Sequence, residues 1–337
     1  MKHLFSKLLL YAVVFCTTFQ NVYSSDIGPL RALECPELCH TRDFLKETLI
    51  EEISSAKKSL LFFAFTFSDR DLISLINDKA EEGIEVIIII DNDHESPLLK
   101  YGSEKLKIVT RPGQGRVHHK ILSVDDEKVW LGSANFTSSA YNTQENLFIG
   151  VKSITFAKAL REESEIFQGK KQRSNTTTFQ EKYGEELVSL YLLPYSNPYR
   201  KSLEAKMNSE AKQELISLIA KAKSHIRIAM MVWTEPALEK AIIQAHKRGV
   251  FVEILLSDKK NTLAKNLENA GVLVKVNPNL NFLHNKMLLI DESTLVNGSA
   301  NWSKSAFSRN DESFFVIKNL KKEHIAYLKD YWVKLLE

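Results

Sequence analysis

The sequence predicts an α/β protein: two tandem α/β/α sandwich repeats in one chain. Three observations lead there. Residues recur at a constant separation of 166, helical and strand-like stretches alternate within each copy, and the strand-like stretches are apolar at almost every position. A fixed period is the mark of a repeated structural unit. Ala56-Lys57 returns as Ala222-Lys223, Gly83 as Gly249, Val86 as Val252, and Gly132-Ser133-Ala134-Asn135 as Gly298-Ser299-Ala300-Asn301. No gap is needed between positions 56 and 135. Strands that are apolar throughout are buried on both faces, and the intervening helices supply the layers that bury them.

At 337 residues the chain has room for about two ordinary domains. With 44% hydrophobic and 26% charged residues it is a folding chain. A net charge of +3 excludes a nucleic-acid packager but not a local basic pocket.

Taken in order, residues 1–24 have the layout of a secretory signal peptide. Lys2 and Lys7 precede an apolar run from Leu8 to Phe15, and Val22 and Ser24 are placed for cleavage before Ser25. Export, secreted or periplasmic, is therefore expected. A membrane anchor at residues 8–19 is the alternative, although the run is shorter than the ~20 residues of a spanning helix. Cys16 would leave with the signal. Cys35 and Cys39, in "CPELCH", remain. In an exported protein they could close a small disulfide loop, or stay structural or idle. Two cysteines and His40 do not complete a zinc set.

Residues 25–169 form the first repeat. "TRDFLKETLIEEISSAKK" reads as a helix with Thr41 as N-cap, and "SLLFFAFTF" and "IEVIIIID" as buried strands. Between those strands "DRDLISLINDKAEEG" is a helix stopped by Gly83. The polar, turn-rich residues 170–185 read as a connector. Residues 186–337 repeat the pattern with "HIRIAMMVW", "EPALEKAIIQAHKRG" and "VFVEILLSD".

The most informative stretches are "VHHKILSVDDEKVWLGSAN" and "FLHNKMLLIDESTLVNGSAN". On a strand of period two, His118, Lys120 and Leu122 share one face, as do His284 and Lys286, while His119 points the other way. Asp125 and Asp291 fall at the strand ends, where a turn-stabilising role is expected. Gly132 and Gly298 permit a sharp bend and close approach of backbone to a ligand. Ser133, Asn135, Ser299 and Asn301 offer neutral hydrogen bonds. Two lysines, two asparagines and two serines converging on one point would cradle an anion such as a phosphodiester.

The pattern H-x-K-x4-D-x6-G-S-x-N, present twice, resembles the phospholipase D superfamily, the HKD phosphodiesterases, over most of residues 41–337. The resemblance implies that the repeats pack with pseudo-twofold symmetry and bring both motifs to one cleft. It makes His118, Lys120, Asp125, His284, Lys286 and Asp291 the catalytic set, with His118 the nucleophile forming a phosphohistidine and His284 the general acid. The resemblance also implies an acidic residue orienting each imidazole. Glu145 and Glu312 are the expected pair, Asp311 being the alternative to Glu312, because 166 residues beyond Glu145 lies Asp311. No metal, no cofactor and no obligate protein partner are implied.

Two substrate classes remain. An exported phosphodiesterase that hydrolyses a phosphatidylcholine-type phospholipid to phosphatidic acid fits the signal segment and the aromatic stretches "NLNFLHN" and "MMVWTEP". An endonuclease fits the compact repeats and Arg111 and Arg116 just ahead of the first motif, where a nucleic-acid backbone could lie. A cardiolipin synthase-like phosphatidyl transferase is a third reading. Two intact motifs argue against a catalytically dead binding module.

Overall fold

The computed structural model describes residues 36–111, 115–174, 176–195, 202–257, 262–276 and 283–337. The expected signal at 1–24, the anchor alternative at 8–19, Cys16 and Cys35 lie outside the described residues. Cys39 is a free, buried thiol between the Asp43 carbonyl and the Thr48 hydroxyl.

The first repeat contributes β1 (Glu37–His40), α1 (Leu45–Ser55), β2 (Ser59–Ala64), α2 (Arg70–Glu81), β3 (Glu85–Ile90) and α3 (Ser96–Tyr101). It continues with β4 (Lys107–Thr110), β5 (Lys120–Val124), β6 (Lys128–Gly132), α4 (Ser138–Asn142), β7 (Leu147–Lys152) and α5 (Ile154–Phe167). The second comprises β8 (Thr178–Tyr183), β9 (Glu186–Leu193), α6 (Leu203–Lys221), β10 (His225–Met230), α7 (Pro236–Lys247) and β11 (Phe251–Leu256). After these come α8 (Thr262–Asn269), β12 (Leu273–Val276), β13 (Lys286–Ile290), β14 (Thr294–Gly298), β15 (Glu312–Lys318) and α9 (Lys322–Leu336).

The strand orders are β1-β7-β6-β5-β2-β3-β4 and β12-β11-β10-β13-β14-β15-β9-β8. Read from β4 and from β12, they run in parallel until the second sheet adds β8. That strand corrects the expected connector at 170–185: Thr178–Tyr183 pairs antiparallel with β9 and belongs to the second sheet. Its polar residues misled because an edge strand exposes much of its surface.

Each sheet is covered on both faces. Along β2, Leu60, Phe62 and Ala64 face α1 and α2, while Leu61 and Phe63 join a core shared with the second sheet. In the second repeat Ile226, Ile228 and Met230 pack under α6 and α7, and Ala229 turns into the shared core. Phe156 and Leu160 of α5 and Leu328, Tyr331 and Trp332 of α9 fill that central layer. The arrangement is two α/β/α sandwiches meeting through one core.

Local signals match the elements. Asp69 caps α2 by accepting from the Asp71 and Leu72 amides, and Gly83 beyond its end has φ of 91°. Gly249 repeats this with φ of 93°. Thr41 is not the cap of α1. The helix starts four residues later, behind Phe44, and the Thr41 hydroxyl instead accepts from the Asn146 amide at 3.0 Å.

His40, 1% exposed, lies flat on Tyr331 with ring centroids 4.3 Å apart, clamping β1 to α9. Burial, reinforced by Lys334, pushes its pKa down to about 3. It is neutral when folded, so its contribution is complete above the unfolded value near ~6.5 and is lost as pH falls toward the folded value. His40→Phe keeps the stacking and removes the protonation. Between pH 6 and pH 4 the wild-type chain should lose about 2.5 kcal/mol more stability than the variant. Urea unfolding at the two pH values measures the difference. Equal losses would show that His40 is protonated in the folded state.

Candidate active site

The site is built where each repeat reaches into the other. The His118 amide donates to the Asp311 carbonyl at 2.9 Å, and the His284 amide donates to the Glu145 carbonyl at 3.0 Å. These contacts are single parallel bridges, Val117 with Asp311 and Glu145 with Leu283, and residues 145 and 311 are themselves 166 apart. The backbone just ahead of β5 is therefore held by the second repeat, and that just ahead of β13 by the first.

The next residue on each bridging segment sends its side chain to the imidazole. His118 Nδ1 is 2.8 Å from Glu312 Oε2, and His284 Nδ1 is 2.9 Å from Asn146 Oδ1. Glu312 is thus placed against His118. Glu145 is not placed against His284: its carboxylate pairs with Arg42 at 2.6 Å. The equivalent acid, Asp311, is paired with Arg111 at 3.1 Å. The error lay in matching the two glutamates by type. The 166-residue offset holds here too, and it equates Asn146 with Glu312. That offset was the signal that finds Asn146.

Ser133 and Ser299, expected to bind phosphate, are fully buried behind these groups. The Ser133 hydroxyl donates to Asn146 Oδ1 at 2.9 Å and the Ser299 hydroxyl to Glu312 Oε2 at 2.6 Å. They position the orienting groups. Gly132 and Gly298 approach neighbouring backbone rather than a ligand: a Cβ would lie 2.2 Å from the Leu147 carbonyl oxygen at the first and 2.3 Å from that of Ser313 at the second. Asn135 and Asn301 remain partly accessible. Asn301 Oδ1 accepts from the Val232 amide at 3.2 Å, which leaves its NH₂ for a ligand.

Asp125 and Asp291 are turn clamps. Asp125 accepts from the Lys57, Lys58 and Ser59 amides at 2.7–3.0 Å, and Asp291 from those of Lys223, Ser224 and His225 at 2.8–3.0 Å. Burial opposes their charge, but the three amides outweigh it and hold each carboxyl below its usual range. Both residues have positive φ in the hairpins β5–β6 and β13–β14, a conformation Asp tolerates.

The cations are gathered on the front of the site. Lys120 and Lys286, 0% and 3% exposed, each donate to the carbonyl of the histidine two residues earlier. Burial brings Lys120 down to about 7 against the pull of Glu312 and Asp91, and burial with Lys120 beside it pushes Lys286 well down. Burial and the two lysines depress both imidazoliums. In contrast, burial raises the Glu312 carboxyl to about 7. An anion bound here stabilises all four cations at once.

Two residues that the sequence reading passed over rim the site. Phe65 faces the His118 ring at 5.1 Å and Lys120 Nζ at 5.3 Å, and Lys286 Nζ donates to Met231 Sδ at 3.7 Å. Residues 65 and 231 are again 166 apart. His119 points into the other face, edge-on to Phe63. Arg111 is committed to Asp311, whereas Arg116 is exposed and lies over Phe65. Trp233 is core, packed edge-on to Trp302, and Phe282 lies outside the described residues. Among the described residues no three His, Cys, Asp or Glu side chains gather as a metal site.

A family model described as "Cardiolipin synthase, PLD-like domain" matches residues 49–166 and again 215–332. Mitochondrial cardiolipin hydrolase of Mus musculus is 26% identical over 109 residues, 31% of this chain and 49% of that protein. The match thus spans about half the length of that relative. Cardiolipin synthase of Clostridium perfringens is 27% identical over 314 residues, 82% of this chain and 65% of that one. The crystal structure of phosphatidylserine synthase from Haemophilus influenzae Rd KW20 superposes with a TM-score of 0.69 at 14% identity. It covers 95% of this chain and 90% of that chain, a likeness of fold.

The clamp and the cradle are separable by mutation. Asp125→Ala strands three backbone amides and should cost roughly 1.5–3 kcal/mol in chemical denaturation. The folded fraction should keep diester turnover within a few-fold. Lys120→Met should show the reverse, near-normal stability with turnover lost. Loss of turnover without loss of stability in Asp125→Ala would put that carboxylate in the chemistry.

Proposed function

This chain belongs to the phospholipase D superfamily, and on that premise we propose that it cleaves the phosphodiester of a phospholipid. The observation that carries the reading is the reciprocal bonding of His118 and His284 to the opposite repeats, with Lys120 and Lys286 beside them. One phosphorus atom can then be approached by an imidazole from each side.

One Nε2 attacks phosphorus while the other protonates the departing head-group oxygen. The second imidazole then takes a proton from water as the oxygen displaces the histidine, giving phosphatidic acid. Lys120 and Lys286, with the amides of Asn135 and Asn301, stabilise the negative charge that builds on the non-bridging oxygens. Supporting a lipid substrate are the apolar rim of Phe65, Met231 and Val232, the last 36% exposed, and the lipid enzymes among the relatives. Export through residues 1–24 is part of the same proposal. N-terminal sequencing of the protein recovered outside the cytoplasm should begin at Ser25.

The substrate is tested with vesicles carrying labelled phosphatidylcholine, phosphatidylglycerol or cardiolipin, and separately with single-stranded DNA, all in EDTA. Release of phosphatidic acid with intact DNA is the expected result. DNA cleavage without lipid turnover would replace this reading with a nuclease, and a phosphatidyl-alcohol product would make the acceptor an alcohol. His118→Ala and His284→Ala should each lower kcat by at least about 10²–10⁴-fold. Near-normal turnover in either variant would end the two-histidine mechanism.

A further inference from the structure

The residue two places ahead of His118 is held more firmly than an exposed arginine needs to be. The Arg116 side chain is exposed, yet its backbone is pinned on both sides. Its carbonyl accepts from the Asp311 amide of the second repeat at 2.8 Å, and the amide of the next residue, Val117, donates to Oδ2 of the buried Asp91 at 3.0 Å. Gly115 before it has φ of 93°, and a Cβ there would lie 2.1 Å from the Arg309 carbonyl oxygen. Only glycine fits. A backbone fixed this closely aims a long side chain from a defined point.

That side chain lies over Phe65, with Cζ 5.2 Å from the ring centroid. The same ring faces the His118 imidazole at 5.1 Å and Lys120 Nζ at 5.3 Å, while His94 stands edge-on to it at 4.3 Å. Arg116 is thus one aromatic ring away from the reacting imidazole, near enough that its charge helps to depress the His118 imidazolium. The acids of this segment are already engaged. Asp91 accepts from the Asp93 and Val117 amides, Asp311 is paired with Arg111, and Glu312 is bonded to His118. Arg116 forms no ion pair with a carboxylate among the described residues. The second copy has Phe282 at this position, 166 residues on, so the cation belongs to one copy alone.

Resting on the phospholipid reading above, we propose that Arg116 selects the head group, pairing with a second phosphate that the head group carries beyond the scissile diester. A guanidinium meets a phosphate with two parallel N–H···O bonds, a geometry that a hydroxyl alone does not match. A choline head group meets the opposite conditions. A quaternary ammonium needs an open aromatic face. Phe65 has Arg116 over it and Lys120 beside it, and Tyr195 has Arg111 over it. The preferred substrate is therefore a phospholipid with an anionic head group, and the zwitterionic choline lipid is the poorest.

The test is a competition inside one set of vesicles, so that the charge of the membrane is common to every substrate. Phosphatidylglycerol phosphate, phosphatidylglycerol and phosphatidylcholine, each with its own acyl chains, are mixed with the full chain. Mass spectrometry then reads the phosphatidic acid formed from each. The first two differ only in the terminal phosphate. Initial rates give ratios of kcat/KM, and these are internal to each sample, so a variant that folds in part still reports them. The wild-type chain should favour phosphatidylglycerol phosphate over phosphatidylglycerol by about fivefold, the scale of one ion pair at a partly exposed rim. Phosphatidylcholine should be slowest. Arg116→Gln should bring the first ratio close to one, Arg116→Lys should keep most of it, and Arg116→Glu should invert it.

A ratio near one in the wild-type chain, a preference for phosphatidylcholine, or a preference that Arg116→Gln leaves unchanged would overturn the proposal. Phosphatidic acid from none of the three lipids is a different result: it removes the phospholipid reading itself, and the selection of a head group with it.

Discussion

The structure depends on four short contacts that cross between the repeats. Two are backbone bonds, from the His118 amide to the Asp311 carbonyl and from the His284 amide to the Glu145 carbonyl. The other two are side-chain bonds to the imidazoles from the adjoining residues, Glu312 and Asn146. Each histidine thus has its strand supplied by one repeat and its orientation by the other. The large shared core brings the sheets together, but apolar packing is not directional and would tolerate small slides. The crossed hydrogen bonds are directional, and they set the register in which both imidazoles meet.

Placing cations in that interior is costly. Lys120 and Lys286 are almost wholly buried, with Glu312 the one buried carboxylate beside both of them among the described residues. The lysines bond to main-chain carbonyls, which hold their direction without neutralising them. Such a site is poised for a ligand that brings negative charge and loses water on entering, since the interactions strengthen as solvent leaves. Asp125 and Asp291 stand apart from this balance. They satisfy backbone amides at the far end of the motif strands, so the aspartate of the motif serves folding, while its histidine and lysine form the cradle.

Much of this was legible in the sequence. The apolar strands β2, β3, β10 and β11, the helix stop at Gly83 and the alternation that sets His118 and Lys120 on one face follow from local rules. What escaped depends on contacts distant in sequence. Ser133 looks like a phosphate ligand because its hydroxyl's true partner, Asn146, comes from the loop that leads into β7. Thr41 looked like a helix cap, yet its hydroxyl serves the amide of Asn146, more than a hundred residues away. A glycine at 132 suggests room for a ligand, whereas the room is taken by the β7 backbone. Glu145 resembles Glu312 in chemical type, although the repeat spacing points one residue further, to Asn146.

That residue has a bearing on why the two copies share a chain. Were the site assembled from a pair of identical subunits, whatever stood behind one imidazole would by symmetry stand behind the other. Two copies in one chain are free of that obligation. A glutamate at one of two equivalent positions and an asparagine at the other is a distinction that a tandem chain can encode and a pair of identical subunits cannot, and here it falls on the groups bonded to the two imidazoles.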